Sequence, residues 1–180
     1  MTISLNKQKK SSPSFLSFVC LAIPFSVLLA LGLSAQTIPT ETLPTGARIM
    51  AGDAYVSSFG DQMLIRQTSP RAAIRWNDFN VGSAASVHFL QPNSNAATLN
   101  QVSGPNPSQI LGRISANGSV FITNGNGVFF GEQATVDVGG LVASTMNLTV
   151  TDFMKGKFTF KGENGDGKIG NKGRLSADPD

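Results

Sequence analysis

The chain has 180 residues, 41% of them hydrophobic and 14% charged, with a formal net charge of +3, one cysteine and one histidine. That apolar content excludes a disordered chain, and a single cysteine excludes a disulfide framework. Three of the basic residues precede residue 11, so the net charge gives no electrostatic case for a nucleic-acid partner.

The first element in chain order is a leader. Lys7, Lys9 and Lys10 precede the nearly uninterrupted apolar run FLSFVCLAIPFSVLLALGLSA, Phe15 to Ala35, and polar QTIPTETLPT follows. This order predicts a cleaved secretory signal peptide over residues 1–35. The run is long enough to anchor a chain in a membrane. Pro24 inside it, its N-terminal position and the small residues Gly32, Ser34 and Ala35 favour removal, with Ala35/Gln36 the first choice of cleavage point. Cys20 does not mark a lipoprotein, because Val19 is too large for the usual lipid-attachment box and most of the apolar run follows it. All 11 acidic residues and 11 of the 14 basic ones lie after residue 35, so the mature part is neutral and has no cysteine. About 145 residues remain, enough for one domain. They are expected to divide into a short polar lead-in at 36–48, a main domain at 49–160, and the start of a further, apparently truncated coil at 161–180.

After the leader no long segment shows helical spacing with caps. Short strands are predicted instead at SVHF (86–89), SVFI (119–122), GVFF (127–130), ATVDV (134–138), MNLTV (146–150) and KFTF (157–160). Turn residues separate them, among them Pro92-Asn93, Gly104-Pro105, Asn117-Gly118, Gly131 and Gly139-Gly140. A β-sandwich wants longer alternating strands and hairpin turns. A β-solenoid wants short strands with a corner on each side, small or apolar residues stacked inward, and Asn or Gly at corners that take left-handed backbone angles. The stretch Phe121–Gly131, FITNGNGVFFG, carries two Asn-Gly pairs in four residues, one more than a hairpin needs and suited to successive corners of a coil. The pattern favours the solenoid, with Asn117, Gly118, Gly139 and Gly140 as structural corners and stacked asparagines able to form ladders between coils. No single fixed period fits the repeat.

Several words of the sequence, in order, carry a resemblance: LPTGARIMAGDA, IRQTSPRAAIRWNDFNVGSAASVHFLQPNSNAATLNQVSGPNPSQILGRISANGSVFITNGNGVFFG and VDVGGLVAST. From about Leu43 to Phe160 the chain resembles the N-terminal two-partner secretion domain of the filamentous-haemagglutinin family of Gram-negative exoproteins. The resemblance implies an all-β fold, a right-handed parallel β-helix with an N-terminal β cap and small extra-helical β elements. It also implies a partner, an outer-membrane barrel transporter with periplasmic recognition domains, and a place at the start of a surface adhesin or haemolysin. The family's Asn-Pro-Asn-Gly turn matches Asn124, Gly125, Asn126 and Gly127, with Gly for Pro, which removes the fixed proline angle and is expected to loosen the turn. In LNQV (99–102), Gln101 follows Asn100 where the family commonly has Arg. These six residues are the candidates for transporter recognition or for a motif turn, and shaping a corner is as good a role for the turn as contact with the transporter.

Other constellations carry less. Gly165 to Gly170, GDGKIG, fits G-x-G-x-x-G by letter without a following helix. The calcium-loop reading of the same stretch, through Asn164, Asp166 and Gly167, would put Gly162 and Gly173 at the anchoring carboxylate positions. His88 alternates with Val87 and Phe89 and is expected to face outward. No serine has a nucleophile-elbow setting. Trp76 and Phe79 could stack a sugar, although core or cap packing is the commoner role of such a pair. Glu132 and Asp137 have no partner base in their own coils. Asn117-Gly-Ser and Asn147-Leu-Thr match glycosylation sequons by chance.

The reading is therefore a non-enzymatic, secreted or cell-surface module that passes through the periplasm, with export coupled to β-helix folding. It needs no cofactor, metal or nucleic acid, and a host or cell-surface receptor would be engaged through a distal region. The alternative is a carbohydrate-binding or polysaccharide-cleaving parallel β-helix, which would gather acidic and basic residues in one groove.

Overall fold

The computed structural model describes residues 38–162 and 167–177. The predicted leader at 1–35, and Gly165 and Asp166 of the GDGKIG stretch together with Asn164 of its calcium-loop reading, lie outside the described residues.

Sixteen short strands and one helix make up the described residues. Strands β3 (Gln62–Gln67), β5 (Ser86–Leu90), β8 (Arg113–Ala116), β11 (Thr135–Val138) and β16 (Arg174–Ala177) stack in parallel on one side of a β-helix. A second parallel stack is β4 (Arg71–Trp76), β6 (Ala97–Val102), β9 (Ser119–Thr123) and β12 (Gly140–Ser144). The third is β7 (Ser108–Ile110), β10 (Gly127–Phe130) and β15 (Lys168–Asn171), with Val81 bridging in parallel to Ile110 in the coil before. Each coil therefore takes one strand or bridge from each side, and β16 opens a further coil on β11. The expected parallel β-helix is the fold observed.

Equivalent positions explain why no fixed period fits. Gln62, Ser86, Arg113, Thr135 and Arg174 stack in register, at separations of 24, 27, 22 and 39 residues. The longest interval contains an excursion, β13 (Asn147–Leu148), α1 (Val150–Met154) and β14 (Phe160–Lys161), inserted between β12 and β15. A strand expected over 146–150 is thus cut short by a helix. Thr149 caps it, its Oγ1 accepting from the Asp152 amide at 3.1 Å and donating to Asp152 Oδ2 at 2.9 Å, which favours a helical turn over further pairing. The strand expected over 157–160 is likewise reduced to Phe160–Lys161, antiparallel to β13.

The first coil is closed from the N-terminal side. Strand β1 (Arg48–Ala51) lies antiparallel on β4, and β2 (Ala54–Phe59) antiparallel on β3. The lead-in crosses the first coil through Gly82 N to Thr42 O (2.8 Å), Ala84 N to Thr40 O (2.9 Å) and Asn77 N to Thr45 O (2.9 Å). These antiparallel elements form the expected β cap and cover a sheet edge that would otherwise invite strand addition.

Two apolar clusters hold the structure. The inner one fills the coil with Ile65, Ile74, Trp76, Phe79, Val87, Phe89, Ile110, Ile114, Val120, Ile122, Val128, Phe130 and Val136 among others. The second lies on the outer face of the β4-β6-β9-β12 sheet, where Ala73, Leu99 and Phe121 meet Leu148 and Phe153 of the excursion. Phe121 and Phe153 pack edge to face with centroids 5.3 Å apart, a favoured aromatic geometry. With both faces covered, β4 and β6 lose the alternation of a half-exposed strand.

The corners are tight for a reason other than the one expected. Neither Gly118 nor Gly139 has a left-handed φ; a Cβ on Gly118 would stand 2.5 Å from Ala96 O, and one on Gly139 would stand 3.1 Å from Gly118 Cα. Close stacking of one coil on the next, not backbone angle, demands glycine there. Gly140, expected at the corner, is the first residue of β12. Asn117 makes no asparagine ladder: its side chain receives Gln91 N at 2.8 Å and donates to Gln91 O at 2.9 Å, clamping the preceding coil. The Gln91 side chain donates to Thr98 Oγ1 (3.0 Å) and Ser119 O (3.2 Å), and Thr98 donates to Gln67 Oε1 (2.6 Å). Gln67, Gln91 and Thr98 are all buried, and a buried polar network of this kind is favourable because its members are paired.

Candidate functional site

The motif turn follows β9. Asn124 is 1% exposed, and its Nδ2 donates to Asn106 O and Ser108 Oγ, each at 3.0 Å. Its Oδ1 receives the Asn126 amide at 2.9 Å, and its backbone O receives Gly127 N at 3.0 Å, closing a four-residue turn. Asn126 donates from Nδ2 to Gly104 O at 2.8 Å. The two asparagines therefore fasten the 103–107 loop of the preceding coil. Gly127 has φ +118°, and a Cβ there would lie 2.7 Å from Lys168 O, so both backbone angle and space require glycine.

Gly125 is different. It is exposed, its φ is not left-handed, and an added Cβ would meet only Thr145 O, at 4.0 Å. Asn126 also has no positive φ, so the turn matches a type I geometry, in which proline suits the second position. The Gly125 amide donates to no protein acceptor among the described residues. Gly125→Pro is therefore expected to stabilise the chain by about 0.4–1 kcal/mol through the unfolded state, seen as a higher urea midpoint with an unchanged slope. The looseness expected of Gly125 is countered by the hydrogen bonds of its two asparagine neighbours.

Asn100 sits in β6 and is fully buried. Its Oδ1 accepts from Trp76 Nε1 at 3.0 Å and its Nδ2 donates to Phe121 O at 3.1 Å. It is neither at a turn nor on the surface, so its side chain serves the interior of the folded chain. Gln101, next along, faces outward; its Nε2 donates to Asn147 Oδ1 (3.0 Å) and Leu148 O (2.8 Å), tying the excursion to the sheet. Its Oε1 is buried without a donor among the described residues.

Gln101, Asn124 and Gly125 come together in one cleft of about 530 Å³ between the outer face of this sheet and the excursion, with Arg75, Asn147 and Lys161 also in its wall. Arg75 pairs in register with Gln101, and Asn147 with Lys161. The adjacent strand thus sets Arg75 beside Gln101 in the same wall. Asn117, Gly118, Gly139 and Gly140 lie at coil corners or strand starts away from this cleft. Arg75 and Lys161 were not legible as site residues, since only folding brings positions 75, 101 and 161 together.

The remaining constellations resolve as packing or surface. Trp76 and Phe79 are fully buried in an edge-to-face pair, centroids 5.4 Å apart, and cannot stack a sugar. His88 is exposed, with Nδ1 2.9 Å from Ser115 Oγ. Glu132 pairs with Lys172 at 3.6 Å on the surface. Among the described residues no three His, Cys, Asp or Glu residues gather as a metal site would require.

A family model described as the TPS secretion domain matches residues 35–180. A heme/hemopexin-binding protein of Haemophilus influenzae strain Rd is 38% identical over 122 residues, 68% of this chain and 14% of that protein. A second heme/hemopexin-binding protein of Haemophilus influenzae is 36% identical over 123 residues, 68% of this chain and 13% of that one. The crystal structure of the HMW1 secretion domain from Haemophilus influenzae superposes with a TM-score of 0.68 at 32% identity, over 72% of this chain and 35% of that one. The chain spans about a seventh of the length of these two curated relatives.

Proposed function

The chain belongs to the TPS secretion-domain family, and from that premise we propose that it directs export of an exoprotein through a dedicated outer-membrane transporter in a two-partner system. The family match over residues 35–180 carries this reading. The route runs through the periplasm to the medium or the cell surface, and the domain acts by being recognised and folding, not by catalysis. The haem and hemopexin binding in the relatives' names is not carried over, because so little of their length is shared. An adhesin-type activity, and any receptor, would belong to a distal region.

Burial of Asn124 and Asn100 in the folded chain favours two stages. A transporter that touches these side chains would do so before the coils close, by adding an extended segment to a strand edge. Stacking of successive coils then buries apolar side chains and opposes return to the periplasm. In this scheme the Asn124–Gly127 turn acts chiefly by fastening one coil to the next.

The test is to co-express the precursor with its transporter and measure mature chain in the medium by immunoblot. Release that depends on the transporter, and is lost when Asn124 and Asn126 are both changed to Ala, is the expected result. Wild-type chain retained in the periplasm beside a working transporter would overturn the proposal.

A further inference from the structure

Among the described residues, the cleft beside the motif turn holds positive charge that no carboxylate balances. Of the described residues in its wall, Arg75 and Lys161 carry charge and none is a carboxylate. Arg48 stands directly opposite Arg75 in the antiparallel β1–β4 pair, on the same face of the sheet. Like charges in that arrangement repel and destabilise the pair. Among the described residues the ion pair formed is Lys172 with Glu132, so Arg48, Arg75 and Lys161 have no carboxylate within 4.0 Å. This concentration is local, because the chain beyond residue 35 carries 11 acidic and 11 basic residues.

The wall is built rather than incidental. Gln101 Nε2 holds Asn147 Oδ1, Asn147 pairs in register with Lys161, and Gln101 pairs with Arg75, which places the two cationic residues around one concavity. Asn147 spends its oxygen on Gln101, and its Nδ2 is without an acceptor among the described residues. A guanidinium, an ammonium and an amide donor around about 530 Å³ match a carboxylate-bearing chain: the guanidinium fork takes a carboxylate in two hydrogen bonds and the ammonium serves a second one as a point charge. A recess of this size suits inserted side chains.

We infer that the cleft formed by Arg75, Gln101, Asn147 and Lys161 is a docking site for an acidic peptide segment, supplied by the periplasmic part of the export transporter. The inference rests on the export reading above and adds to it a surface and a chemistry. The Asn124–Gly125 wall gives the motif turn a second task, shaping the cleft for a partner met after folding begins. The local cations raise the rate of encounter and make binding sensitive to salt.

The test measures binding of the folded chain to detergent-solubilised transporter at low and at physiological salt. Three proteins are compared: wild type, Arg75→Gln/Lys161→Gln, and Arg113→Gln/Arg174→Gln, which removes the same charge from the six-stranded sheet. The cleft variant should bind about tenfold to hundredfold more weakly with a flattened salt response, and the control should stay within about twofold of wild type. Arg75, Lys161, Arg113 and Arg174 are all exposed, so the variants should fold; urea midpoints check this, and a single Lys161→Glu variant, expected to weaken binding similarly, supports the assignment independently. Equal binding by both double variants beside intact wild-type binding would overturn the inference and leave the export reading standing. Failure of the folded wild type to bind would overturn the inference but not the export reading, in which an extended segment is captured before the coils close and which the release assay tests. Cleft-dependent binding to phosphatidylglycerol vesicles, without cleft-dependent binding to the transporter, would overturn the peptide assignment in favour of an anionic lipid headgroup.

Discussion

Asn100→Ala is expected to lower the unfolding free energy by about 3 kcal/mol, chiefly because the buried indole N–H of Trp76 is left unpaired at about 1–3 kcal/mol, with a smaller loss at the Phe121 carbonyl. The residue lies in register between Ile74 and Ile122 inside the coil, with no solvent exposure. Removing its amide strands the indole N–H of Trp76 and one interaction of the Phe121 carbonyl. Trp76 is the only tryptophan, so its fluorescence reports both the local change and the global transition in urea. A cycle with Trp76→Phe isolates the pair: in that background Asn100→Ala should cost about 1–2 kcal/mol less, since the donor is already gone. A loss below about 1 kcal/mol in the wild-type background would mean that water or a neighbour satisfies the indole, and that the buried asparagine is not a structural tie.

The strands that were legible in sequence are those with one dry face and one wet face. Val87 and Phe89 point inward around an exposed His88, and Val136 and Val138 around Asp137, the alternation that identifies a half-buried strand. Strands β4 and β6 hide this signal because the excursion covers their outer face, so apolar residues occupy both sides. The corner residues Asn117, Gly118 and Gly139 were legible as corners, but their reason was not. A glycine needed for close approach looks the same in sequence as one needed for a left-handed angle, and only the neighbouring coil at 2.5–3.1 Å distinguishes them. The irregular intervals between stacked positions hid the period, and the longest contains a helix capped by Thr149 within a stretch that reads as strand.

The candidate site was legible in part for a related reason. Asn124 and Gly127 stand in one short word of sequence. The cations that share their cleft come from positions 75 and 161, brought into place by strand register and by the Gln101–Asn147 bond. Composition gave no warning either, since the net charge of the whole chain comes from residues 1–35, whereas the local excess of cations lies in the segment after residue 35, which is neutral as a whole.

Asn124→Ala is expected to cost about 3 kcal/mol, and Asn126→Ala about 1 kcal/mol or less, although the two residues are equivalent members of the motif by sequence. Asn124 is buried and its amide engages Asn106 O, Ser108 Oγ and the Asn126 amide. Ser108 is itself 1% exposed, so its hydroxyl would lose a donor that water cannot readily replace. Asn126 is exposed, and the carbonyl of Gly104 that it serves at 2.8 Å can turn to solvent. Urea unfolding of the two single variants measures the difference directly. The same pair separates two ways in which the motif could act in export. If the transporter reads the asparagine side chains themselves, both single variants should reduce release to a similar extent despite their unequal stability. If the turn works by fastening the coils, release should follow the unfolding free energies, with Asn124→Ala impaired, Asn126→Ala near wild type, and Gly125→Pro, which tightens the turn without touching either amide, at or above it.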